Sequence, residues 1–273
     1  MPGSGTMPGK CAAGGRVRVG GVGVDALTEE QVVQRVAGEL EAGRGGRIVT
    51  PNVDICRITA ACPELKDLVC SAELVVPDGM PLVWAARLLG TPLPERVTGA
   101  DLLWALSELA ARRGWPVYVL GGGPPDVPQR AVGELMSRYP RLRVCGSHAP
   151  PYGFDATSEG RELVRRRLVA AQPRLVFVGL GFPRQDQLIV DLRKELPEAW
   201  FLGCGAAIAF AAGTVPRAPG WMRQTGLEWA FRLAGEPGRL ARRYLVDDLP
   251  FAARLLGRCL ATRLRRRADP ART

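Results

Sequence analysis

From about residue 16 to residue 212, short apolar runs alternate with longer stretches in which apolar side chains recur every three or four positions. Runs of three or four apolar residues between turn signals fit buried strands, and the longer spacing fits helices with one buried stripe. Arg16–Val24 reads as a first strand. Thr28 to Ala42 reads as a helix opened by Thr28 and Gln31, which stand in capping-box positions. Further strands are expected at Arg47–Thr50, Leu74–Val76, Val117–Leu120, Leu142–Cys145, Leu175–Val178 and Trp200–Leu202. Helical patterns lie between most of them, as at Asp101–Arg113 and Arg161–Ala171. This alternation predicts an α/β fold with a mainly parallel, Rossmann-like sheet and helices on both faces.

After Gly213 the pattern changes. Arg217-Ala218-Pro219 interrupts it, and two helical stretches follow around Trp221–Leu233 and Gly238–Leu264. The expected organisation is a flexible tail over 1–15, an α/β core over 16–213, a helical appendage over 214–264 and a basic tail over 265–273. Charge sharpens this division. The chain of 273 residues carries +10, and residues 215–273 hold +8 of it, from 13 arginines against 5 acidic residues. Trp221, Trp229, Phe231, Tyr244, Phe251 and several leucines are interleaved with those arginines. A basic, apolar, helical segment suits an anionic membrane surface or a nucleotide diphosphate. Nucleic acid is set aside as a partner, because the interleaved Trp, Phe and Leu favour lipid.

Other classes are excluded by what the chain lacks. No apolar run reaches the ~20 residues that span a bilayer, and Trp200 to Val215 reads as a strand followed by a buried helix. The N-terminal segment has no apolar centre of the signal-peptide kind, so the expected compartment is the cytoplasm. Seven cysteines, an odd number without C-x-x-C spacing, and one histidine, His148, offer neither a disulfide framework nor a zinc site. Free thiols are expected. Gly121-Gly122-Gly123 and Gly179-Leu180-Gly181 do not complete a dinucleotide fingerprint, and Gly-x-Ser-x-Gly is absent.

In such sheets ligands sit beyond the carboxyl ends of the strands. That rule selects Thr50-Pro51-Asn52-Val53-Asp54, Pro77-Asp78-Gly79-Met80, the triglycine at 121–123, and Gly179 to Gln185. Asp78 is the first candidate: a carboxylate at a strand exit can accept a proton from a hydroxyl. Its plainer role would be to cap the following helix. Asp54 and Asp101 read more easily as helix-start residues. Thr50 and Asn52, two apart, can present a hydroxyl and an amide to one side of the chain, or form an ordinary turn. Arg96 precedes a helix start and suits phosphate, or is solvated. Gln185 can bond a sugar or nucleotide, or lie exposed in a first turn. Asp247-Asp248, in the arginine-rich segment, reads as solvated charge.

Taken in order, Thr50-Pro51-Asn52-Val53-Asp54, Val76-Pro77-Asp78-Gly79-Met80-Pro81, Arg96-Val97-Thr98-Gly99-Ala100-Asp101, Gly179-Leu180-Gly181-Phe182-Pro183-Arg184-Gln185 and the tail around Arg217-Ala218-Pro219, Leu227-Glu228-Trp229, Arg232-Leu233, Glu236-Pro237, Arg239 and Arg242-Arg243-Tyr244 resemble the WecG/TagA/CpsF family, glycosyltransferase family 26. The resemblance runs over roughly residues 45–250. It implies an inverting transfer of N-acetylmannosamine, or a related sugar, from a UDP-sugar to N-acetylglucosamine on undecaprenyl diphosphate. Such transfers serve polysaccharide or teichoic acid synthesis.

The resemblance implies that Asp78 is the general base. It implies that Thr50, Asn52 and Gln185 line the sugar and acceptor pocket, and that Arg96 faces diphosphate. Arg232, Arg239 and Arg242 would complete the nucleotide site when the appendage closes. No metal or other cofactor is expected, since no Asp-x-Asp follows a core strand; arginines would stabilise the leaving group. The enzyme would be peripheral on the inner face of the cell membrane, with homo-oligomerisation left open. Two positions depart from the family pattern: Asp186 where Glu is frequent, and Ala209 where Asp is usual. The second leaves open a catalytically degenerate membrane adaptor of the same fold. A dinucleotide-dependent oxidoreductase is the other alternative.

Overall fold

The computed structural model describes residues 15–268. The chain opens with β1 (Arg16–Val19) and β2 (Val22–Asp25), then α1 (Glu29–Glu41), β3 (Gly46–Val49), α2 (Val53–Ala61), α3 (Pro63–Cys70), β4 (Leu74–Val75) and α4 (Met80–Leu89). It continues with α5 (Gly99–Arg113), β5 (Pro116–Gly121), α6 (Val127–Arg138), β6 (Arg143–His148), α7 (Ser158–Ala171), β7 (Leu175–Gly179), α8 (Arg184–Glu195), β8 (Trp200–Gly203) and α9 (Ala207–Ala211). Beyond Gly213 come α10 (Gly220–Thr225), α11 (Glu228–Gly235), α12 (Pro237–Ala241), a π-helical segment (Arg242–Asp248) and α13 (Leu249–Ala268).

Six strands form one sheet in the order β4-β3-β8-β7-β5-β6. Every pairing in it is parallel, so all six carboxyl ends share one edge. The period of two along each strand divides the core. Val117, Val119, Leu175, Phe177, Trp200 and Leu202 pack with α1, α5, α6 and α9. Their neighbours Tyr118, Leu120, Val176, Val178 and Phe201 face the other way, against Val164 and Leu168 of α7 and Ile189 and Leu192 of α8. Burial on both faces is why these strands read as unbroken apolar runs. In α1 the buried residues Val32, Val36 and Leu40 fall one turn apart, and the Thr28–Gln31 capping box forms as expected.

The expected strand at Arg16–Val24 is instead an antiparallel hairpin, with Val19 opposite Val22. Its turn is Gly20-Gly21, with φ of 61° and 87°. A two-residue turn of that kind needs left-handed backbone, which glycine supplies without strain. The hairpin packs Val19, Val22 and Val24 against α2, α3 and α4.

The appendage follows the helical expectation, with Gly226 (φ 79°) dividing the first stretch into α10 and α11. It is packed on the core. Phe251, Leu255, Leu256 and the buried Cys259 of α13 join the cluster beneath the hairpin and α4. Asp248 is 8 % exposed and pairs with Arg57 of α2 (3.3 Å) and Arg243 (3.5 Å). This corrects its reading as solvated charge: the segment folds back on α2, and burial pushes the carboxyl up to about 6. Cys56, Cys62, Cys145, Cys204 and Cys259 are free thiols. Cys70 is disulfide-bonded, against the expectation of free thiols, a linkage that no short spacing in the sequence signals. Cys11 lies outside the described residues.

Candidate active site

The exits of β3 and β4 are tied together. The Asp78 N–H donates to the Pro51 carbonyl (2.9 Å), and the Val97 N–H to the Pro77 carbonyl (2.9 Å). These bonds hold Thr50-Pro51-Asn52, Pro77-Asp78-Gly79 and the loop before α5 side by side. Asp78 does not cap α4. The N-cap is Gly79, and no side chain bonds the first turn. The carboxylate is therefore left for another task, and it accepts the backbone N–H of Gly99, the first residue of α5.

Gly99 is at that point for a steric reason. A Cβ there would lie 3.1 Å from Cys204 Cα, at the exit of β8, and 3.5 Å from Thr50 Oγ1. The start of α5 is thus wedged between the exits of β3 and β8. Thr98 caps the helix through the Asp101 N–H (3.0 Å). Asp101 in turn accepts from Thr98 Oγ1 (2.6 Å) and binds Arg217 (2.7 Å) and Arg223 (3.5 Å). It is a helix-start residue, as expected. It also lines a separate polar cleft of about 370 Å³ with Glu29, Trp104 and Arg138.

Asp78 keeps some exposure at the cleft but lies deep among protein atoms, and its carboxyl is pushed up to about 7. Desolvation by burial is the main cause. Arg96 opposes it, Glu228 adds to it, and Arg232 opposes it again, together with the Gly99 N–H. A carboxylate poised near neutrality is suited to general-base work.

The other expected residues divide by distance from this centre. Thr50 is 7 % exposed and lies under the start of α5. Asn52 caps α2, its Oδ1 accepting the Ile55 N–H (3.0 Å); its amide nitrogen is the end left to a ligand. Gln185 is 5 % exposed, and its Oε1 accepts the N–H groups of Gly181 and Gly205, both at 3.2 Å. It therefore clasps the exits of β7 and β8, a role that no local sequence signal announces, and is not exposed in a first turn. Arg96 is bound by Glu228 of α11 at 2.9 Å. Arg232, one turn beyond Glu228, lies 5.5 Å from the Phe210 ring and within electrostatic reach of Asp78. Arg239 and Arg242 are exposed, and Arg239 pairs with Glu236 at 2.6 Å. Asp54 pairs with Arg57 (2.6 Å) and Arg243 (2.9 Å).

Sequence reasoning missed two features. Arg47 in β3 and Asp186 in α8 are 1 % and 0 % exposed and face each other at 3.8 Å. Burial pushes Asp186 up to about 6 while Arg47 opposes the rise. Glu228, which no local signal marks out within the Leu227-Glu228-Trp229 run, supplies the anion at Arg96. Ala209 is buried in the core. Among the described residues, no three His, Cys, Asp or Glu side chains gather as metal ligands.

A parallel α/β sheet whose carboxyl edge carries a desolvated carboxylate flanked by two guanidinium groups has the layout of a group-transfer enzyme. The Glycosyl transferase WecG/TagA/CpsF family matches residues 17–266. The N-acetylglucosaminyldiphosphoundecaprenol N-acetyl-beta-D-mannosaminyltransferase of Bacillus subtilis (strain 168) is 30 % identical over 219 residues, 80 % of each chain. The protein of the same name from Bacillus spizizenii is 30 % identical over 203 residues, 74 % of this chain and 76 % of that one. The chain belongs to the WecG/TagA/CpsF glycosyltransferase family, and the oxidoreductase alternative falls away.

Proposed function

We propose that this protein transfers N-acetylmannosamine, or a closely related sugar, from a UDP-sugar to N-acetylglucosamine on undecaprenyl diphosphate. The reading follows the names of its relatives, and the observation that carries it is Asp78. Its carboxylate sits on the edge where α/β sheets bind ligands, is held by the Gly99 N–H, and has a proton affinity matched to neutral pH. In the proposed step Asp78 takes the proton of an acceptor hydroxyl. The oxygen attacks the anomeric carbon from the face opposite the diphosphate, and the bond to UDP breaks with its electron pair on UDP. The configuration inverts. Thr50 and the Asn52 amide nitrogen would meet sugar hydroxyls, with Gln185 setting the loops around them. The guanidinium groups of Arg96 and Arg232, with Arg239 and Arg242 nearer the surface, would stabilise the leaving diphosphate without a metal.

The lipid acceptor puts the reaction at a membrane surface. No helix among the described residues is long and apolar enough to cross a membrane. What supports peripheral docking is the appendage, where Trp221, Leu245, Val246, Leu249, Leu260 and Leu264 are exposed beside Arg254, Arg258 and Arg265. Apolar side chains set among cations match the interface of an anionic leaflet, where each nearby basic residue contributes about 1 kcal/mol. The test is a screen of UDP-sugars against a short-chain lipid diphosphate bearing N-acetylglucosamine, with UDP release and product anomeric configuration as readouts. A β-linked disaccharide with UDP-N-acetylmannosamine is expected. No UDP release with any donor would overturn the reading and return the degenerate adaptor.

A further inference from the structure

The appendage reaches the site through one face of α11. Glu228 is its first residue and Arg232 stands one turn later, so the two side chains project from the same face. Glu228 crosses to Arg96 at 2.9 Å, with 17 % and 14 % of the two side chains exposed. Arg232 lies against Phe210 of α9, the helix that follows β8. The turn before α11 is pressed onto the core as well: a Cβ at Gly226 would lie 2.8 Å from Met80 Cβ, the first residue of α4. Other ion pairs join appendage and core, as at Arg217–Asp101, Arg243–Asp54 and Asp248–Arg57. Among the described residues, the Glu228–Arg96 pair is the one whose members both act on Asp78.

We propose that Glu228 is a positioning residue, which seats α11 beside Asp78 through its ion pair with Arg96 and offsets one of the two guanidinium charges that flank the base. This rests on the reading of Asp78 as the base. The charged groups that act on Asp78 are Arg96 from the loop before α5 and Glu228 and Arg232 from α11, with the Gly99 N–H at the start of α5. Two unopposed cations would hold a carboxylate ionised well into acid and leave it a weak base. One carboxylate placed on one of those cations leaves Asp78 closer to the proton affinity that burial gives it. The same cations must remain in the site to meet a diphosphate. Glu228 thereby reconciles a cationic donor pocket with a base that works near neutral pH, and it does so only when the appendage is closed.

The two ends of this pair predict opposite outcomes. Glu228→Gln removes the anion and nearly preserves shape, so the acidic limb of kcat/KM is expected to move down by about one pH unit. The plateau rate is expected to fall roughly threefold to tenfold, as a weaker base implies. Arg96→Gln removes a cation and leaves Glu228, so the Asp78 titration is expected to move up. Glu228→Asp keeps the charge and should return the limb to the wild-type position. Titration of the Asp78 carboxyl in the full chain by carbon NMR reads the same shifts without turnover, so a wrong assignment of substrate does not obscure the result. A merely structural contact would loosen α11 in both variants and move the titration the same way. Equal-sign shifts, or a titration that neither variant moves, would overturn the proposal. If Glu228→Gln does not fold, a fall or no change in Arg96→Gln overturns it alone.

Discussion

Asp78 should oppose stability as much as it serves chemistry. Replacing it with asparagine keeps the size of the side chain and an oxygen to accept the Gly99 N–H, and removes the charge that burial opposes. The rise of its carboxyl from 3.8 to about 7 corresponds to ~4 kcal/mol at 1.36 kcal/mol per pH unit. Halving this for the exposure that Asp78 keeps at the cleft leaves ~2 kcal/mol. The sign follows from linkage. The folded-state value is raised, so below about pH 4 both states hold the proton and the fold loses nothing. Stability is lost as pH climbs towards 7, and the loss is level above that. Asp78→Asn should therefore melt like the wild type near pH 4 and higher than it at pH 8. The difference should be roughly 4–8 °C, at about 2–4 °C per kcal/mol for a chain of this size. Transfer at pH 8 should fall ~10²-fold or more in the same variant, as for a lost general base. The assays are thermal melts across pH 4 to 8 and UDP release at saturating acceptor. A melting difference that does not grow with pH would refute the buried, desolvated carboxylate, and near-normal transfer in a well-folded variant would remove Asp78 from the chemistry.

Two further outcomes follow from the appendage and the leaving group. Replacing Leu260 and Leu264, which are 46 % and 56 % exposed, with serine should weaken binding to vesicles of anionic lipid by about tenfold or more. The melting temperature should hold; unchanged vesicle binding would count against this face as the docking surface. Transfer should persist in excess chelator, because the proposed stabilisation of the diphosphate comes from arginine. Loss in chelator that magnesium or manganese restores would show that a metal shares that work.

What the sequence determined by itself is local and periodic. The alternation of apolar runs with helical spacing settled a parallel sheet between helices, because strands buried on both faces must be apolar throughout and helices buried on one face cannot be. Thr28 and Gln31 announced a capping box, and the polar strand exits announced which edge would bind. The same signals misjudged the hairpin, where a Gly-Gly pair inside an apolar run was the available warning. What only the tertiary structure decided depends on partners far apart in the chain. Asp78 reads as a helix cap until Gly79 is seen in that position and the surrounding protein strips water from the carboxylate. Asp248 reads as solvated until the π-helical segment that carries it packs on α2. Arg47 inside a strand has no explanation until Asp186 arrives from α8. Glu228 and Arg96 are 132 residues apart, and no periodicity links them. Burial and charge pairing are properties of distance in space, which spacing along the chain encodes only within an element.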